Sequence, residues 1–221
     1  MKQIPAQLID AARWVIDLAA GFSSRHDTAP IDTVQRLFHF ASTRSALVTQ
    51  KKLYGYLKER MGMGYPKMFE DEVFSVSIRI ANMNIFAASL SDLTIHAVAH
   101  VAPSRSEAPA RDPMARACYR SGLADNSESV QDLDAPRAWT AAFEQRLAET
   151  HWENIAAGAS AFTHSPKALV EWAPIAEDLK KYDREIVESS MRFAWNEIRE
   201  DFRNRTDAPA VLADWYRKPQ G

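Results

Sequence analysis

Glycine occurs only seven times in this chain of 221 residues, at positions 21, 55, 62, 64, 122, 158 and 221. That is roughly half the usual share. Tight hairpins and phosphate-cradling loops need residues that accept positive φ or let a backbone approach closely. A chain this poor in glycine has few places for either. The only closely spaced pair, Gly62 and Gly64, has Lys67 where a dinucleotide-binding fingerprint needs its third glycine. Neither that fingerprint nor a Walker A loop is present, and long helices become the expected building material.

Apolar residues recur at helical steps through most of the sequence. Leu8, Ala12, Val15, Ala19 and Phe22 share one face, predicting an amphipathic helix over about 5–20 with its stop at Gly21. Pro30 suits a first helical turn. Val34, Leu37, Phe38, Ala41, Ser45 and Val48, continued by Leu53, Tyr54, Leu57 and Met61, then predict a helix over 30–61 that ends at Gly62. Gly55 inside it reads as either a close helix contact or a bend. Glu70, Asp71 and Glu72 open a third helix where its dipole favours negative charge. Val76, Ile80, Met83, Ala87, Leu90, Thr94, Ala97 and Val101 carry it to about 102. This helical period outlasts the alternating stretch Phe74–Ile80. The segment is the most apolar in the chain, but Arg79, Asn82, Asn84, Asp92, His96 and His100 interrupt it, so it reads as a core helix and not a membrane span.

Residues 102–113, APSRSEAPARDP, carry three prolines and predict a surface loop. Asp112 and Pro113 fit an N-cap and first helical position for a helix running to about Asp125. A second loop is expected over 126–135. Trp139, Ala142, Phe143 and Leu147 mark another helical face after Pro136, and Ser165–Pro166 repeats the cap-then-proline arrangement. Pro174 begins the last long helix, with Leu179, Tyr182, Ile186, Ser190, Ala194, Ile198 and Phe202 expected along its inner side. The tail, 206–221, holds one further turn around Val211 to Tyr216. The fold class is therefore all-α: one domain over 1–221, an antiparallel bundle of about six to seven helices around a central apolar helix near 70–102.

Lys and Arg number 27 against 29 Asp and Glu, a balance that does not advertise a nucleic-acid surface. The N-terminal residues Asp10, Arg13 and Asp17 interrupt what a signal-peptide core would need. One cysteine, Cys118, permits no internal disulfide, and a cytoplasmic location is the expectation. As a nucleophile Cys118 is improbable beside its reading as a small packing residue. A nucleophile elbow is also lacking, since Gly158 and Ser160 are followed by Phe162 where a glycine is required.

The third helix carries the residues of most chemical interest. Ser75, Arg79, Asn82, Ser89, Asp92, His96 and His100 make one polar stripe with neither Lys nor Glu in it. Asp92, His96 and His100 form D-x-x-x-H-x-x-x-H, a spacing that puts successive side chains one turn apart. Two imidazoles so placed could share a divalent metal or bind haem, with Asp92 as third ligand or orienting group. Glu185, Glu188 or His39 would complete the set, and Arg79, Asn82 and Ser89 would line an adjoining pocket. The plainer reading pairs Asp92 with His96 at i,i+4 and sets the imidazoles near the helix C-terminus, where the dipole favours them. Neither E-x-x-H pairs nor H-E-x-x-H is present.

The runs RLFHFASTRSALVTQKKLYGYLKERMG, YPKMFEDEVF, LSDLTIHAVAH and WAPIAEDLKKYDREIVESSMRFAWNEIREDF resemble an uncharacterised family of helical proteins from proteobacteria, over most of the chain. The resemblance implies a single helical unit and supplies no catalytic residue. Some members of such families carry an esterase label, which keeps a hydrolase as the minor enzymatic alternative.

The expected function is that of an intracellular helical interaction or assembly protein, with a protein partner or a second copy of the chain. The alternative is a metal- or cofactor-binding bundle that uses Asp92, His96 and His100. A peripheral membrane contact through the first helix or the tail is a third possibility.

Overall fold

A computed structural model describes residues 27–62, 70–103, 105–126, 134–155 and 159–217. The helix expected over 5–20 and most of the 126–135 loop lie outside them. The described residues form seven α-helices: α1 (Val34–Met61), α2 (Glu72–Val101), α3 (Ala108–Asp125), α4 (Ala135–Ala148), α5 (His164–Trp172), α6 (Glu177–Arg205) and α7 (Ala208–Arg217). The fold is all-α.

Local chemistry sets the ends of the first two. Thr33, in extended conformation, accepts a hydrogen bond from Arg36 N at the start of α1, and Gly62 with φ of 52° ends it. Asp71 caps α2 by accepting from Phe74 N at 2.8 Å. α2 is the central helix. Every residue from Ser89 to Val98 is buried, as expected of a helix covered on all sides. α1, α3 and α5 surround it. It is the one described helix long and apolar enough to cross a membrane; its second half packs into the connected core, while Val73 and Ile80 near its start are exposed.

Several boundaries differ from expectation. The loop expected over 102–113 stops early: a 3-10 turn covers Arg105–Glu107 and α3 starts at Ala108, with Pro109 in its first turn. Pro113 lies inside α3, and Asp112, instead of capping, accepts a hydrogen bond from Trp152 Nε1 at 2.9 Å. Pro113 is the sixth residue of α3 and removes the bond its N–H would make to Pro109 O. Ser165 lies within α5, whose N-cap is Thr163. The tail is a ten-residue helix, α7, with Val211, Asp214 and Trp215 buried. Gly55 has open space around it and makes no close helix contact. The close approach occurs at Gly122, where a Cβ would lie 2.7 Å from Leu90 Cδ2.

α6 shows the most instructive difference. It begins at Glu177, three residues after Pro174, and its buried residues are Lys180, Asp183, Val187, Met191, Trp195, Ile198 and Phe202. Leu179, Tyr182 and Ile186, expected inside, are exposed. Two polar anchors set this rotation. Lys180 Nζ donates to Glu171 O at 2.7 Å, and Asp183 accepts from Tyr56 Oη at 2.8 Å while pairing with Arg60. Asp183 is buried only because those donors satisfy it.

The two ends of the described fold meet. Ile31 N donates to Arg205 O at 2.8 Å and Asp207 N to Ile31 O at 3.0 Å, an isolated parallel bridge. Asp214 of α7 accepts from Val34 N at 3.0 Å, and so serves the first turn of α1.

Candidate functional site

Asp92 is fully buried, and its partners are none of those expected. Arg146 of α4 reaches its Oδ1 at 2.7 Å, and the backbone N–H of His164 donates to the same oxygen at 3.2 Å. Oδ2 accepts from Ser165 N at 2.8 Å and Ser165 Oγ at 2.5 Å. Ser165 Oγ in turn accepts from Trp195 Nε1 at 3.0 Å. Asp92 thus serves the N-terminus of α5, where Thr163 makes no side-chain cap. Burial pushes its carboxyl up, but contact with His164, the Arg146 charge and both Ser165 donors outweigh burial and hold it below its ordinary value.

One turn on, His96 packs against the rings of Phe162 at 5.2 Å and Phe202 at 6.0 Å. It is buried, and neither ring nitrogen has a hydrogen-bond partner. Burial, then Arg199, His100 and Arg203, lower its pKa to about 3, so the ring is neutral. His100 meets Phe202 edge-on at 5.4 Å, and burial followed by Arg203 lowers its pKa too. The structure does not bring Asp92, His96 and His100 together as ligands. Among the described residues no group of three or more His, Cys, Asp or Glu could hold a metal ion. The reason is electrostatic: Asp92 is committed to Arg146 and α5, while Arg199 and Arg203 give the histidines a cationic setting. Glu188 pairs with Arg184 and Arg192, and His39 is exposed.

The rest of the stripe is divided as well. Ser89 accepts from Thr49 Oγ1 at 3.0 Å across the α1–α2 contact. Arg79 Nε and Asn82 Oδ1 are buried with no partner among the described residues.

On the far side of Arg146 a cleft of about 330 Å³ opens between α2, α4 and α5. Arg146, Ser91 and His164 stand in it beside Trp139 and Trp172. The sequence singles out Asp92 and gives Ser165 a capping role, but does not signal Arg146 or His164 as partners of Asp92. No spacing signals them, since they come from different helices.

The outer side of α6 is the other notable surface. Tyr182, Ile186 and Phe193 are 79%, 74% and 75% exposed, and Leu179 is exposed beside them. With Ser189 they step by three, four, three and four, the spacing of a helix-pairing seam. Compared with family models, curated proteins and solved structures, the chain matches none.

Proposed function

We propose that this chain is a non-catalytic intracellular assembly protein that pairs with a second copy of itself through the outer face of α6. The exposed seam of Leu179, Tyr182, Ile186 and Phe193 carries this reading. Large apolar side chains in a row on a surface otherwise rich in charge mark an interaction site. Charge order along α6 favours an antiparallel second copy. Glu185 flanks the seam before its midpoint and Arg192 after it, so antiparallel pairing sets Glu185 against the partner's Arg192, twice by symmetry. The same register sets Tyr182 against the partner's Phe193. A cytoplasmic setting draws support from Cys118, the lone cysteine, which burial makes inert by pushing its thiol up to about 12.

Light-scattering molar mass across a concentration series tests the reading. The full chain is expected to give a dimer, and Ile186→Glu with Phe193→Glu a monomer of unchanged helical circular dichroism. A full chain that stays monomeric at all concentrations overturns it. So does one that dimerises only after residues 1–26 are deleted, because the chain's own N-terminal segment would then be the occupant.

A further inference from the structure

We infer that the cleft between α2, α4 and α5 binds a small planar aromatic carboxylate, a role separate from assembly through α6. The cleft exists because the residues facing it are small. Ala87 and Ala88 of α2, Ala142 of α4 and Ala168 of α5 contribute only methyl groups where larger side chains would fill the space. Its volume, about 330 Å³, lies at the small end of ligand sites and suits a molecule of one or two rings.

Its walls are flat and preset. Trp139 and Trp172 line it, and the Trp139 indole is held by its Nε1–H donating to Asn84 Oδ1 at 2.8 Å. Tyr119 and Phe143 stack at 4.0 Å and 8° along the same cleft, presenting a second rigid aromatic surface. Fixed rings of this kind accept another ring with little loss of side-chain freedom.

The polar end favours an anion. Arg146 is anchored on three sides: Asp92 and Ser91 take its Nη1 at 2.7 Å each, and Ala161 O takes Nη2 at 2.6 Å. A guanidinium has five N–H groups, so these three bonds leave two, Nε–H and one on Nη2, without a partner among the described residues. Each is a charged donor that a carboxylate oxygen can accept from. His164, half exposed, adds a second nitrogenous group at this end, with Nδ1 3.8 Å from Asp92. Of the two nearby carboxylates, Asp92 is paired with Arg146 and serves α5, while Glu149 at the rim accepts from the neutral Gln145 Nε2 at 3.1 Å and keeps its charge.

Calorimetric titration of the full chain with 2-naphthoate, and with neutral 2-naphthalenemethanol as its size-matched control, tests this assignment. The carboxylate should bind about ten-fold or more tightly than the alcohol, a difference of one charge-assisted contact. Ala142→Phe, at an exposed position on the cleft, should abolish binding without lowering the melting temperature. His164→Gln should weaken naphthoate and leave the alcohol unchanged. No binding of either probe, equal binding of both, or unaltered binding to the Ala142→Phe chain would each overturn it.

Discussion

Asp92 and Arg146 meet at 2.7 Å between α2 and α4, the carboxylate wholly buried and the guanidinium nearly so. Removing either partner strands the other's charge away from water. Asp92→Ala or Arg146→Met is therefore expected to cost about 3–5 kcal/mol in urea unfolding. The double variant should cost less than the sum of the two, and strict additivity would show that the pair is not coupled.

Acid lability should come from two groups on α2. His96 has a native pKa of about 3 against 6.5 for the free side chain. The unfolded chain therefore takes up the proton first, and stability falls as pH drops from about 6.5 towards 3. The slope from this residue approaches about 1.4 kcal/mol per pH unit. His96→Leu should flatten that region of the stability–pH curve. It should also stabilise the fold at pH 7 by about 1 kcal/mol, because it removes buried ring nitrogens that have no partner. Asp92 acts lower on the scale. Its depressed pKa contributes stability that is present above the ordinary carboxylate value and is lost as pH falls through the native one.

Two glycines should respond with opposite sign. Gly55→Ala meets open space in the interior of α1 and should stabilise by about 0.5–1 kcal/mol. Gly122→Ala places a methyl 2.7 Å from Leu90 Cδ2 and 2.8 Å from Cδ1, and Leu90 is fully buried. Thermal unfolding should show a loss of about 1–3 kcal/mol there, as in other overpacked cores.

Charge order along α6 makes its own prediction. Glu185→Arg should weaken self-association, and adding Arg192→Glu should restore it, because the swap returns opposite charges to each flank of an antiparallel pair. Both effects should shrink in high salt. Sedimentation equilibrium reads all three proteins, and a double variant as weak as the single one would exclude the antiparallel register.

The long elements were legible in the sequence because their cues are local. Asp71 and Gly62 cap or stop the helices where their chemistry suggests, and the apolar period of α2 with its interrupting polar residues marks a core helix. α6 was harder because it carries two apolar stripes. Val187, Met191 and Trp195 lie inside, while Tyr182, Ile186 and Phe193 lie outside. Lys180 and Asp183, which look like solvent-facing residues, belong to the inner stripe through partners on α5 and α1. Nothing within one helix reveals such partners. Asp92 stood out as a polar residue in an apolar run, but in place of the expected pairing with His96 at one-turn spacing it takes donors from α4 and α5. Those helices lie about 50 and 70 residues further along the chain.

The bridge between Ile31 and Thr206 has a bearing on synthesis. Ile31 emerges from the ribosome long before its acceptor and donor, Arg205 O and Asp207 N, and before the Asp214 carboxylate that serves Val34. The Val34 N–H must wait through more than 170 residues of translation for its carboxylate. Closure of the fold thus follows the synthesis of Asp214, and a chain cut short before Asp207 should remain open to proteases around Ile31 as well as at the cut.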